Sequence, residues 1–180
     1  MPLMDDYVKE EIISGVVYDM STTANYRHGL VNGNICVKLK LALKGSSYLP
    51  FMANLDYHYE GDEDHVVPDV IIVDDRSKLK GGRYYGTTKF IVETLSPATI
   101  MRDRGIKMKI YENCGVSEYW IVSPREKALE VYYLEDGKYV LQKAYILEEH
   151  IDSKYYNAKE EIVLREFPVS MLLEEIFEGF

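Results

Sequence analysis

A glutamate in the middle of an apolar, β-branched run constrains this chain more than any other feature. Residues 90–95 read F-I-V-E-T-L, a segment of strand length stopped by Ser96-Pro97. Glu93, near its centre, is costly in a buried strand unless it is paired, protonated or bound to a metal. A second apolar run, V-V-P-D-V-I-I-V, carries Asp69 directly after Pro68, and Val70 to Val73 continue it as a strand. Downstream, Asp103, Lys107 and Tyr111 recur at i, i+4 and i+8, so one helical face presents all three. Two strand-borne acids and a helical lysine point to a metal site with a charge-stabilising amine. Taken singly, these residues also read as a turn acid after proline, a structural ion pair and a solvated lysine. Their convergence on one short region tips the balance toward a site.

At 180 residues the chain suits a single domain spanning 1–180. A hydrophobic content of 47% with 28% charged residues is ordinary for a soluble globular protein. No apolar run approaches membrane-spanning length, and the opening M-P-L-M-D-D-Y-V-K-E lacks the apolar stretch of a secretion signal. A cytoplasmic protein without a membrane partner is the expectation. Cys36 and Cys114 fall in different predicted helices and read as buried free thiols. His28, His58, His65 and His150 form no zinc pattern. The formal net charge of −9 opposes non-specific attraction to phosphate backbones, so any nucleic-acid contact needs a local basic cleft.

Residues 9–20 predict two short strands around Ser14-Gly15, a hairpin. S-T-T-A-N then offers capping residues for a helix from Tyr26 to about Leu43, with Gly45 as its stop. Ser46 to Tyr59 reads as one strand broken at Pro50. It precedes the acidic run Glu60 to His65 and the Asp69 strand, as an antiparallel pair with an acidic tip. That tip lacks the spacing of a calcium loop and reads as a solvated turn. Residues 74–88 are loop-like. They hold the densest basic cluster, Arg76, Lys78, Lys80 and Arg83, followed by Lys89 and interleaved with Tyr84 and Tyr85. This cluster is either a nucleic-acid contact surface or a mobile surface loop.

After the Glu93 strand a helix starts between Thr99 and Asp103 and ends at Gly115. V-S-E-Y-W-I-V is another buried strand. Ala128 to Leu134 and Lys138 to Tyr145 flank E-D-G as a hairpin. The tail predicts a strand at Glu161 to Leu164 and a closing helix at Ser170 to Phe177.

With these residues in view, the chain resembles the Uma-type restriction-endonuclease family of the PD-(D/E)XK nuclease superfamily. The resemblance rests on V-P-D-V-I-I-V, on F-I-V-E-T-L-S-P-A-T, and on D-R-G-I-K-M-K-I-Y-E-N-C-G-V-S-E-Y-W-I-V-S-P. It extends to E-I-I-S-G-V-V-Y-D-M, Arg27-His28 and F-P-V-S-M-L-L-E-E-I-F, and so covers nearly the whole chain. It implies an α/β, restriction-endonuclease-like fold: a mixed central sheet flanked by helices, with peripheral β-hairpins. By position, Asp69 and Glu93 match the motif's two acids. Leu95 stands where the motif's lysine would fall, and Lys107 on the following helix takes that role, with Lys109 the weaker candidate. Family members often carry Glu after the hairpin glycine, where this chain has Val16.

The resemblance further implies metal-dependent hydrolysis of DNA phosphodiesters, with Asp69, Glu93 and the Thr94 carbonyl holding Mg²⁺ or Mn²⁺. Lys107 would stabilise charge, with His28, Asp103 and Tyr111 in support behind these residues. A homodimer is expected, since cutting two strands takes two sites. Two alternatives stay open: a nuclease-fold binding module that cuts nothing, and a hydrolase of a small phosphodiester.

Overall fold

The structure is a computed structural model that describes residues 9–20, 25–60 and 63–180. Residues 21–24 of the capping stretch, residues 61 and 62 of the acidic run and most of the acidic opening lie outside the described residues. The chain enters through a hairpin of β1 (Glu10–Ile13) and β2 (Val16–Asp19). Ser14 and Gly15 turn it with φ of 53° and 73°, the paired left-handed conformations a two-residue hairpin turn requires. Helix α1 (Tyr26–Ala42) follows, its first turn capped by the Asn25 side chain, which accepts the Arg27 N–H.

Then come β3 (Leu49–Met52), β4 (Asp56–Glu60), β5 (Asp64–Val66) and β6 (Val70–Val73). The single strand expected over 46–59 is therefore two strands, in different sheets. The break falls at Ala53 and Asn54, both left-handed at φ 43° and 64°, and not at Pro50. Proline is tolerated at position 50 because β3 is the edge strand of its sheet, where a missing N–H leaves no ladder partner wanting. The acidic tip joins β4 to β5. The Asp69 strand is not part of that pair, because β6 crosses into the other sheet.

Residues 74–88 are not simply loop. They contain one short helical turn at Arg76–Lys78 and a small hairpin of β7 (Leu79–Lys80) and β8 (Arg83–Tyr84). After β9 (Phe90–Thr94), a continuous helical segment over 100–114 comprises α2 (Ile100–Arg102), a wide π-type turn (Asp103–Lys107) and α3 (Met108–Cys114). β10 (Glu118–Ser123) and the hairpin β11 (Ala128–Glu135) and β12 (Lys138–Ile146) complete the larger apolar layer. In the tail, β13 (Glu161–Val163) pairs with β14 (Ser170–Leu172), and only Leu173–Ile176 is helical, as α4. The expected closing helix thus begins three residues late, because Ser170 to Leu172 are held by backbone pairing to β13.

One six-stranded sheet has the order β12-β11-β10-β9-β6-β3, with β9 and β10 parallel and the other neighbours antiparallel. The second has the order β2-β1-β5-β4-β8-β7. Strand alternation sorts the first sheet's side chains into two cores. Val70, Ile72, Phe90, Val92, Trp120 and Val122 pack with α1 and the C-terminal elements. Ile71, Val73, Ile91, Tyr119 and Ile121 pack with α3 and the second sheet. A sheet covered on both faces explains why β6 and β9 read as continuous apolar runs. The arrangement is the mixed central sheet, two flanking helices and outer hairpins that the sequence implies.

Candidate active site

Alternation along β9 puts Glu93 on the Ile91 face, toward α3, and Thr94 on the face toward α1. Val70 stands opposite Val92 and Ile71 opposite Ile91, so one step further along the register brings Asp69 beside Glu93. Asp69 Oδ2 accepts the Thr94 backbone N–H at 2.8 Å and lies 3.2 Å from His28 Nε2. The Thr94 hydroxyl donates to Asn32 Oδ1 at 2.5 Å, and Asn32 Nδ2 sits 3.2 Å from His28 Nδ1. Because the amide oxygen is already used, Asn32 Nδ2 donates to Nδ1, and the imidazole presents Nε2–H to Asp69. His28 therefore contacts the site directly, and the helix cap is Asn25.

Lys107 arrives from the opposite side of the sheet. The helix starts at Ile100 after Thr99, the early alternative, so Asp103 does not cap it. Lys107 still reaches the strand end because the wide turn directs both Asp103 and Lys107 inward, each 2% exposed. Wide turns of this kind are rare and concentrate at functional positions. Lys107 Nζ lies 2.6 Å from Glu93 Oε1 and 2.8 Å from Glu11 Oε1, with Asp103 Oδ1 at 3.8 Å. Tyr111, one turn on, donates its hydroxyl to the same Glu93 Oε1 at 2.6 Å. Lys109 faces away and pairs with Glu112.

Glu11, which sequence reasoning missed, is 1% exposed on β1. Its Oε1 also accepts the Val67 N–H at 3.0 Å, and its Oε2 lies 3.6 Å from Arg102 Nη1. The available signal was parity: Glu11 shares a strand face with Ile13, which is buried in the core. Asn32 and Arg102 were missed as well. Val16, by contrast, is 51% exposed on β2 and lines no part of the pocket, so the departure there takes nothing from it.

Four carboxylates, Glu11, Asp69, Glu93 and Asp103, meet three permanent cations, Lys107, Arg102 and Lys9. The surplus is negative and buried. Burial pushes Glu93 well above its ordinary value and raises Asp103, in each case against the opposing pull of Lys107. Burial would lower Lys107, but Glu93, Glu11 and Asp103 together outweigh it and hold the ammonium charged. Burial would raise Asp69, yet His28 and then Lys107 and the Thr94 N–H bring it below its usual range. His28 is lifted by Asp69 against the lowering effect of burial. Asp103 Oδ2 is buried without a hydrogen-bond partner.

These groups line a cavity of about 260 Å³ that also includes Lys9, Met52, Ser96 and Thr99. Among the described residues, no three His, Cys, Asp or Glu side chains form a ready metal cluster. A magnesium-type ion does not demand one, since it keeps several waters and takes one or two carboxylates. The hydrogen bonds and ion pairs described for Glu93 all fall on Oε1, and those for Asp69 on Oδ2. The second oxygen of each is the donor left for a hard cation. Surplus negative charge and the unpartnered Asp103 oxygen fit the same group.

The basic cluster lies elsewhere. Arg76, Lys78, Lys80 and Arg83 follow the far end of β6, and Lys78 shares a groove with Cys114, at the end of α3 remote from Lys107. Arg76 is bonded to the Ser46 and Ser47 carbonyls, and Arg83 stands 3.9 Å from Asp56. Cys36 is buried, as expected, whereas Cys114 is only half-buried, and neither forms a disulfide. Among the described residues, no helix is long and apolar enough to cross a membrane.

Residues 1–154 match the sequence profile of the Uma2 family, described as "Putative restriction endonuclease". An uncharacterized protein of Synechocystis is 22% identical over 173 residues, covering 95% of this chain and 84% of that protein. Among solved structures, a "putative nuclease belonging to DUF820" from Anabaena variabilis superimposes with a TM-score of 0.69 at 13% identity, covering 97% of this chain and 93% of that one.

Proposed function

The chain belongs to the Uma2 family, and from that premise we propose that it is a metal-dependent endonuclease that hydrolyses DNA phosphodiesters, each chain acting as one nuclease domain. The observation that carries this reading is the pairing of Asp69 and Glu93. Each is fixed through one oxygen, and the other is free to receive a cation, with a buried lysine against one of them. Asp69, Glu93 and the Thr94 carbonyl would hold Mg²⁺ or Mn²⁺, which when bound polarises a phosphate oxygen and acidifies a water.

The chain's own residues do the remaining work. Tyr111 holds Glu93 in place and His28 holds Asp69, so neither acid has to reorganise when it takes up a ligand. Lys107 supplies positive charge beside the reacting phosphate, where burial strengthens it. Arg102 and Lys9 line the cavity and would receive the phosphodiester. The cluster at Arg76, Lys78, Lys80 and Arg83 would meet flanking DNA only if the duplex runs the length of β6. Two chains would supply the two cuts of a duplex, which sedimentation of the active species tests.

The depth of the site favours a second reading: with Glu93 and Lys107 each 2% exposed, a small phosphodiester enters more readily than a duplex. The deciding experiment compares plasmid, single-stranded DNA and a small phosphodiester, with Mn²⁺ titrated against native protein and Asp69→Asn. Plasmid cleavage that needs Mn²⁺ and is lost in the variant is the expected result. No Mn²⁺ binding, or unchanged binding in Asp69→Asn, overturns the metal enzyme and leaves a binding module. Cleavage of the small ester alone overturns DNA as the substrate.

A further inference from the structure

One ammonium is shared by two carboxylates here, and only one of the two is a proposed metal ligand. Lys107 Nζ lies 2.6 Å from Glu93 Oε1 and 2.8 Å from Glu11 Oε1. Glu11 cannot turn out toward water. It is 1% exposed, accepts the Val67 N–H, and faces Arg102 with its other oxygen. Glu93 stands at the end of β9, on the cavity wall.

We propose that Glu11 is a positioning residue that draws the Lys107 ammonium partly off Glu93 and thereby leaves Glu93 able to bind a divalent cation. The inference rests on the metal-dependent reading above. Its physics is a competition. An ion arriving at Glu93 brings positive charge close to Nζ in a weakly screened site, so the ammonium must have another anion to lean on. Asp103 at 3.8 Å is a poorer alternative than Glu11 at 2.8 Å. Without Glu11, the lysine rests on Glu93 and the ion has to displace a buried ion pair. A glutamate on a strand far from the acid motif would in this way set the metal affinity without touching the metal.

The test is a double-mutant cycle read by Mn²⁺ binding, with electron paramagnetic resonance or calorimetry as the readout and no turnover involved. Glu11→Gln is expected to weaken Mn²⁺ binding roughly tenfold or more, the usual cost of losing an outer partner of a ligand. In a Lys107→Met background the same substitution is expected to change affinity by no more than about twofold, the scatter of independent sites. Equal losses in both backgrounds overturn the proposal, because Glu11 then acts on the ion directly or only on the fold. Should Glu11→Gln not fold by circular dichroism, Lys107→Met alone decides: Mn²⁺ binding as tight as native or tighter supports the competition, and weaker binding overturns it. A native protein that binds no Mn²⁺ overturns this inference and the metal-dependent reading together, whereas failure of the cycle in a Mn²⁺-binding protein overturns this inference alone.

Discussion

Replacing Lys107 with methionine removes the one cation that Glu93, Glu11 and Asp103 share while keeping most of the side chain's volume. A swap of similar volume costs less than about 1.5 kcal/mol in packing. Removing one partner of a buried ion pair costs about 3–5 kcal/mol, because the other charge stays buried without compensation. Three contacts of 2.6, 2.8 and 3.8 Å at a side chain 2% exposed place this site at the upper end of that range. The loss should depend on pH. Lys107 is held above its ordinary value, so its own titration adds no slope across neutral pH, and the pH dependence comes from the acids it leaves behind. In the variant, Glu93 and Asp103, already raised by burial, rise further and take up protons on folding. Folded protein then binds more protons than unfolded, and stability falls as pH rises, by about 1.4 kcal/mol per unit for each such group. Urea unfolding without metal at about pH 5 and about pH 8 measures it: the deficit should be small at the lower pH and approach about 5 kcal/mol at the higher. A deficit of equal size at both values would refute the account of Lys107 as the counter-ion of this cluster.

Other outcomes follow from the same geometry. Asp69→Asn should abolish Mn²⁺-dependent cleavage while folding normally, since the Thr94 N–H can still be accepted by the amide oxygen; wild-type cleavage in that variant would remove Asp69 from the site. Arg102→Ala should raise KM by roughly tenfold or more with little change in kcat, as for a lost charged contact to phosphate; a pure kcat effect would place it beside the reacting atoms instead. Glu118, buried against the Trp120 indole N–H and the Arg165 backbone N–H, is pushed up to about 7 by burial. Stability should therefore fall by about 3 kcal/mol as pH rises from its ordinary value through that point, and Glu118→Gln should flatten the slope; an unchanged slope in calorimetric scans would refute the assignment. Neutralising Lys78 and Lys80 should leave the salt dependence of binding to a short duplex unchanged, since they lie at the far end of β6; a slope smaller by about two would bring that loop into the contact.

Much of this protein is determined locally and can be read from residue order. Ser14-Gly15 and Asp136-Gly137 adopt left-handed pairs and make their hairpins whatever surrounds them. The apolar runs at 70–73 and 90–92, β-branched and bounded by Pro68 and Ser96-Pro97, read as strands covered on both faces, and the acid that follows the second demands a partner. Asp69, Glu93, Lys107 and Tyr111 were legible for that reason, as oddities of charge or spacing against an apolar background. What sequence could not supply was decided by contacts between distant segments. Ser46 to Tyr59 looks like one strand, but which sheet each half joins depends on partners elsewhere, and two left-handed residues at 53 and 54 make the switch. The wide turn at 103–107 follows from distant contacts: Lys107 is drawn inward to Glu93 and Glu11 on two strands, and Asp103 is buried beside it. Glu11 looked like one of many surface acids in a short hairpin. It became part of the site only when β1, pairing with β5, brought its carboxylate to the Val67 N–H and Lys107, because a buried charge takes its meaning from whatever the fold places within a few ångströms of it.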